Sequence, residues 1–153
     1  MEGDMPVVDV FAGNATELLR TFLVMAIIAF LCSGFLAVTF LQSAINKIAD
    51  YKGNREYFKA QFSQTPLRHF TGLLLPFVTI LELMSGLLCV IGMIMVPLNA
   101  ETSWMILGCA SGAITIICLL IGQRIAKDYA GAASLTGYFI VAILGLIGTA
   151  FCG

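Results

Sequence analysis

Long apolar runs separated by short polar connections set the rhythm of this chain. Four windows carry no Asp, Glu, Lys or Arg: residues 21–46, 69–100 if Glu82 is set aside, 102–123 and 129–153. Each exceeds the roughly 18 residues that mark a transmembrane helix. A spanning helix satisfies its own backbone hydrogen bonds, whereas irregular chain exposed to lipid leaves them unmade. The pattern therefore predicts an all-α protein, an integral membrane four-helix bundle occupying residues 18–153. The spans fall at about 18–46, 70–98, 102–123 and 129–151, behind an acidic N-terminal tail, 1–17. That tail carries Glu2, Asp4, Asp9 and Glu17, with Arg20 its first basic neighbour. A cleavable signal has basic residues first and a short apolar core, so the first span reads as a retained helix.

Within the spans, small and polar residues mark the faces that meet, because lipid offers no hydrophobic drive to helix association. In the third span Gly108, Ser111, Gly112, Thr115, Cys118 and Gly122 share one stripe. Its GxxxG pair, Gly108 and Gly112, suits a neighbour in the same chain better than a second copy. In the second span Thr79, Glu82, Ser85, Gly86 and Cys89 recur at spacings of three and four and share a face. Pro76 removes a backbone donor and is expected to bend that span. The first loop places Tyr51, Phe58 and Phe62 at helical spacing, with Lys52, Arg55, Glu56 and Lys59 on other faces. It predicts a short interfacial amphipathic helix, either a plain anchor or a docking surface. Trp104 and Tyr129 fit the aromatic belts.

Composition agrees: 59% of the 153 residues are hydrophobic and 11% charged, against about 25% charged in soluble domains. A net charge of −1 supplies no basic field for nucleic acid. The few cations are unevenly placed. Lys47, Lys52, Arg55, Lys59 and Arg68 lie in or beside the first loop and Arg124 and Lys127 in the third, against Arg20 on the other side. The positive-inside rule then puts the first and third loops in the cytoplasm and both termini outside. Asn14-Ala15-Thr16 matches a glycosylation sequon, a motif short enough to arise by chance.

The chemistry concentrates at Glu82. A carboxylate at bilayer depth costs roughly 2.5–3.5 kcal/mol on insertion scales, so it should face protein or water and is a functional-site candidate. Low dielectric disfavours its charged form, which predicts a largely neutral acid able to donate to a carbonyl ligand or pass a proton. A packing carboxyl that fixes bundle register is an equally simple reading. The first span ends in a polar cluster, Gln42, Ser43, Asn46 and Lys47, with Lys47 either a snorkelling anchor or a cation for an anionic ligand. Glu82 lies roughly 18 Å along its helix from the near end. A polar track through Ser43 and bound water is therefore expected, rather than a direct Glu82–Lys47 salt bridge.

Five cysteines, Cys32, Cys89, Cys109, Cys118 and Cys152, form no C-x-x-C, which argues against dithiol exchange of the usual kind. Cys89 and Cys109 should lie at similar depth, so a bridge between the second and third spans is conceivable, although buried thiols are ordinarily small apolar residues. Cys152 falls near the outer surface. One histidine and scattered acids give no metal-ligand spacing, and His69 has no partner for haem.

The end of the first span, Phe40-Leu41-Gln42-Ser43-Ala44-Ile45-Asn46-Lys47, is similar to the Ser-Gly-x-x-Lys signature of the DoxX family of small bacterial membrane proteins, with Ala44 at the glycine position. Leu81-Glu82-Leu83-Met84-Ser85-Gly86, with Gly92, resembles that family's glutamate-and-glycine pattern. The likeness covers nearly all of residues 18–151. It implies a four-helix protein of the bacterial inner membrane linked to redox chemistry. Some relatives are quinone-reducing subunits acting with thiosulfate, others membrane partners in oxidative-stress complexes or relatives of methylamine-utilisation proteins. It also implies Ser43, Asn46, Lys47, Glu82 and Gly86 as the ligand-binding candidates. No cofactor motif is visible, so the expectation is a redox-associated accessory subunit with a bound quinone-like or lipid ligand and a membrane or cytoplasmic redox partner. The alternatives are a structural or assembly subunit and a proton-coupled transporter, for which so small a bundle would need a dimer.

Overall fold

The computed structural model describes residues 7–99 and 101–151, with side chains described for 14–98 and 101–151. Cys152 lies outside the described residues. Five α-helices follow in order: α1 (Val7–Ala49), α2 (Tyr51–Gln61), α3 (Thr71–Asn99), α4 (Ser103–Ile125) and α5 (Tyr129–Ala150), with a 3-10 turn at Pro66–His69 before α3. Among the described residues there is no strand. The helices α1, α3, α4 and α5 are each long and apolar enough to cross a membrane. The molecule is an integral membrane four-helix bundle.

Around the bundle the order is α1, α3, α4, α5, closing back on α1, with α4 diagonal to α1. The short connections after α3 and α4 make those spans antiparallel to their successors, α2 fills the longer connection between α1 and α3, and the chemistry of the turns is local. Asp50 caps α2 and Asp128 caps α5, each accepting from a backbone N–H three residues on, Gly53 at 3.0 Å and Gly131 at 2.9 Å. Such caps satisfy donors that a helix start leaves orphaned. Lys127 turns the chain between α4 and α5 with φ of 59°, a left-handed conformation uncommon outside glycine.

The seams use small residues, as hydrocarbon solvent demands. A methyl group added to Gly92 would lie 2.6 Å from the Met105 backbone, and one on Gly108 2.8 Å from the Cys89 backbone nitrogen. These two glycines set how closely α3 and α4 approach. Gly112 faces the Phe40 ring of α1, so both members of the GxxxG pair are used inside the chain. Ser85 and Thr115 hydroxyls bond at 2.9 Å across the same seam, and Thr115 also donates to Ser111 O. The large apolar residues that remain exposed, such as Val38, Ile80 and Ile114, cover the outer faces presented to lipid.

Residues 7–17 of the acidic tail are helical and continuous with the first span; no proline interrupts 7–49. Pro76 lies inside α3, and the helix runs on past it. The interfacial helix in the first loop is present as α2, but its face is divided. Phe62 just beyond its end is buried and Phe58 half-buried, while Tyr51 stays exposed.

Candidate functional site

Glu82 lies on the buried face of α3 with 2% of its surface exposed. Ser43 and Lys47 stand one turn apart on α1, so both side chains reach the same point on the neighbouring helix. Lys47 Nζ lies 2.9 Å and 2.8 Å from the two carboxylate oxygens of Glu82 and donates to Ser43 Oγ at 2.6 Å. Ser43 Oγ donates in turn to Glu82 Oε1 at 3.1 Å. The three groups form a closed triangle.

The expectation of a water-bridged track without a direct salt bridge is therefore corrected. Its premise was that α1 and α3 end level. They do not: Gly86 faces Leu41, which puts Lys47 level with about residue 80, and α3 runs on for about 13 Å beyond that point. Lys47 is thus within one helical turn of Glu82 along the bundle, and its long stem closes the remaining gap. The acid is therefore not solitary: a cation touches both of its oxygens.

The triangle is open on two sides. One cavity, of 320 Å³, lies under α2 and is lined by Ser43, Lys47 and Glu82 together with Asn54, Gln61 and Gln123 among others. A second, of 370 Å³, lies between α1, α4 and α5; Ser43, Glu82, Gln42, Asn46 and Tyr138 line its polar part and Leu36, Phe40 and Ile116 its apolar part. Ser43 and Glu82 border both. An ammonium carries three donors, and Nζ faces three protein acceptors, Ser43 Oγ and the two Glu82 oxygens; a ligand oxygen in the first cavity, which Lys47 lines, would share or displace one of them. The walls then offer apolar surface for a ring or chain and amides at the rim.

Of the residues singled out by sequence, Ser43, Lys47 and Glu82 meet in one cluster, and Asn46 borders the second cavity from an exposed position. Gly86 does not line either cavity. It is buried against Leu41, where an added methyl would come within 2.8 Å of Cγ, so it sets helix approach. Gly108, Ser111, Gly112 and Thr115 lie on the α4 seam, with Gly108, Gly112 and Thr115 buried. Asn54, Gln61, Gln123 and Tyr138 escaped sequence reasoning. Asn54 and Gln61 share the inward face of α2 with Phe58, and amides on the apolar side of an amphipathic helix were the available signal. The buried Gln123 Oε1 has no hydrogen-bond partner, and nothing in the sequence around it announced that. Among the described residues no cluster of His, Cys, Asp or Glu could hold a metal ion.

No family model, curated protein or solved structure matches the chain.

Proposed function

We propose that this protein is a membrane accessory subunit that binds the head group of a quinone-like ligand against Lys47, Ser43 and Glu82. The observation that supports it is a cation–hydroxyl–carboxylate triangle inside the bundle, with Lys47 lining the first cavity and Ser43 and Glu82 lining both. A quinone carbonyl matches the Lys47 ammonium, and Phe58, Phe62, Leu74 and Val78 of the same cavity match its ring. When bound, a quinone supplies two-electron redox chemistry. The chain's own residues orient the carbonyl, exclude lipid from the polar edge and present the Lys47 N–H groups and the Glu82 carboxyl to it. The resemblance in the Ser43–Lys47 and Glu82–Gly86 segments supports the same reading. On it the chain is DoxX-like and resides in a bacterial inner membrane, with α2 and the α4–α5 turn on the cytoplasmic side. The electron donor is a partner redox protein.

Purification in mild detergent followed by solvent extraction and mass spectrometry tests this. Quinone should co-purify near one equivalent with the wild-type chain and fall at least tenfold in Lys47→Met and Ser43→Ala. Equal retention in all three, or only phospholipid in the wild type, would overturn the quinone reading.

A second reading has its own support. The ion pair joins α1 to α3, so the triangle can act purely as a structural clasp in an assembly subunit. A Glu82→Leu/Lys47→Met double variant that still supports the assembly's activity would select this reading.

A further inference from the structure

In the half of the bundle away from α2, three thiols converge from three helices. Cys89 on α3 and Cys109 on α4 are both fully buried and belong to one core cluster with Leu36, Phe40 and Ile116. What brings them together is the glycine seam between α3 and α4. A methyl on Gly108 would lie 2.9 Å from Cys89 Sγ, so the chain beside Cys109 runs directly against Cys89. Cys109 Sγ points toward Gly145 of α5, where an added methyl would lie 2.7 Å away; the same methyl would sit 3.2 Å from Cys32 Cβ. Ser33 Oγ donates to Cys89 O at 3.4 Å and keeps a polar group beside the pair. Both cysteines are free in the structure.

We propose that Cys89 and Cys109 are a redox modification site, a dithiol that closes to a disulfide between α3 and α4. The oxidant is a lipid-soluble two-electron acceptor, a fully substituted quinone or a diazene, able to reach a site that water-borne thiol reagents do not. In the reaction two S–H bonds break and one S–S bond forms. Both electrons and both protons pass to the acceptor, which leaves as hydroquinone or hydrazine. A disulfide requires its two Cα atoms within about 7 Å; a methyl on Gly108, the neighbour of Cys109, would lie 2.9 Å from Cys89 Cα, so the two cysteines occupy adjoining positions of the closest part of the seam. The bond would tie α3 to α4 and hold fixed the wall that Leu36, Phe40 and Ile116 share with the second cavity. The inference does not depend on what that cavity binds.

The test treats the full chain, carrying Cys152→Ser and reconstituted in vesicles, with diamide. Free thiols are then alkylated under denaturing conditions and the protein is digested for mass spectrometry. A peptide pair linked through Cys89 and Cys109 is expected, absent in Cys89→Ala and Cys109→Ala and retained in Cys32→Ala. Thermal unfolding of the oxidised chain should shift upward and return on reduction. If both cysteines remain alkylatable once Cys118 has reacted, the proposal is wrong. A link joining Cys32 to Cys109 instead would equally overturn it. The unsubstituted pair is read directly in the parent chain, so misfolding of a variant cannot hide either result.

Discussion

Glu82 and Lys47 illustrate how a buried charge pair behaves as a unit. Removing one partner leaves the other uncompensated, which typically costs about 3–5 kcal/mol, whereas replacing both with apolar groups is often neutral. Glu82→Ala should therefore destabilise the bundle by about 3 kcal/mol, measured as unfolding in mixed micelles. The Glu82→Leu/Lys47→Met double variant should recover most of that loss. A double variant as unstable as the single would show that the triangle stabilises in its own right. Ser43 contributes differently. Its hydroxyl accepts from Lys47 and donates to Glu82, so Ser43→Ala leaves the charges paired and should cost only about 1 kcal/mol.

Among the elements, α3 and α4 carry the tightest contact. Substituting Gly92 with Ala drives a methyl into the Met105 backbone at 2.6 Å, and backbone cannot rotate aside. We expect Gly92→Ala to cost about 2 kcal/mol or more by the same unfolding assay, in line with overpacked cores. Gly137 on α5 has nothing within 4 Å of an added methyl. Gly137→Ala should be neutral or stabilising by about 0.5 kcal/mol, since alanine is the better helix former. Equal effects at both positions would mean that the α3–α4 approach is looser than the structure has it. Helix α2 is likewise more than an anchor. Its Asp50 cap fixes where it starts, and Asn54, Phe58 and Gln61 roof the cavity over Lys47.

At the scale of the molecule, α1 does not match its partners in length. Gly148, two residues before the end of α5, sits against Met25 and Ala29, so the part of α1 ahead of about residue 25 overhangs the bundle. Residues 14–49 would measure about 54 Å as a helix, well beyond a hydrocarbon core of about 30 Å. Leu18 and Leu19 on the overhang are 71% and 69% exposed. A membrane-impermeant maleimide should therefore label Leu19→Cys in intact vesicles and leave Val38→Cys, exposed at bundle depth, unlabelled. Labelling of both or of neither would contradict this placement.

Sequence by itself determined the class of the protein. Four long apolar windows, charge-free but for Glu82, and a charged fraction too small to coat a soluble core call for helices that satisfy their own backbone across a bilayer. It also singled out Glu82, Ser43 and Lys47, because ionisable and polar groups are costly at that depth and therefore rare. Spacing along one helix ranks residues by face but says nothing about the relative height of two helices. Only tertiary structure decided that α1 stops well short of the near end of α3, and that offset converts a distant cation into a direct partner of the carboxylate. The same holds for Gly86, a site residue by pattern and a packing residue by contact. It holds again for Gln123 and the two buried thiols, whose neighbours come from other helices and leave no periodic trace in the chain.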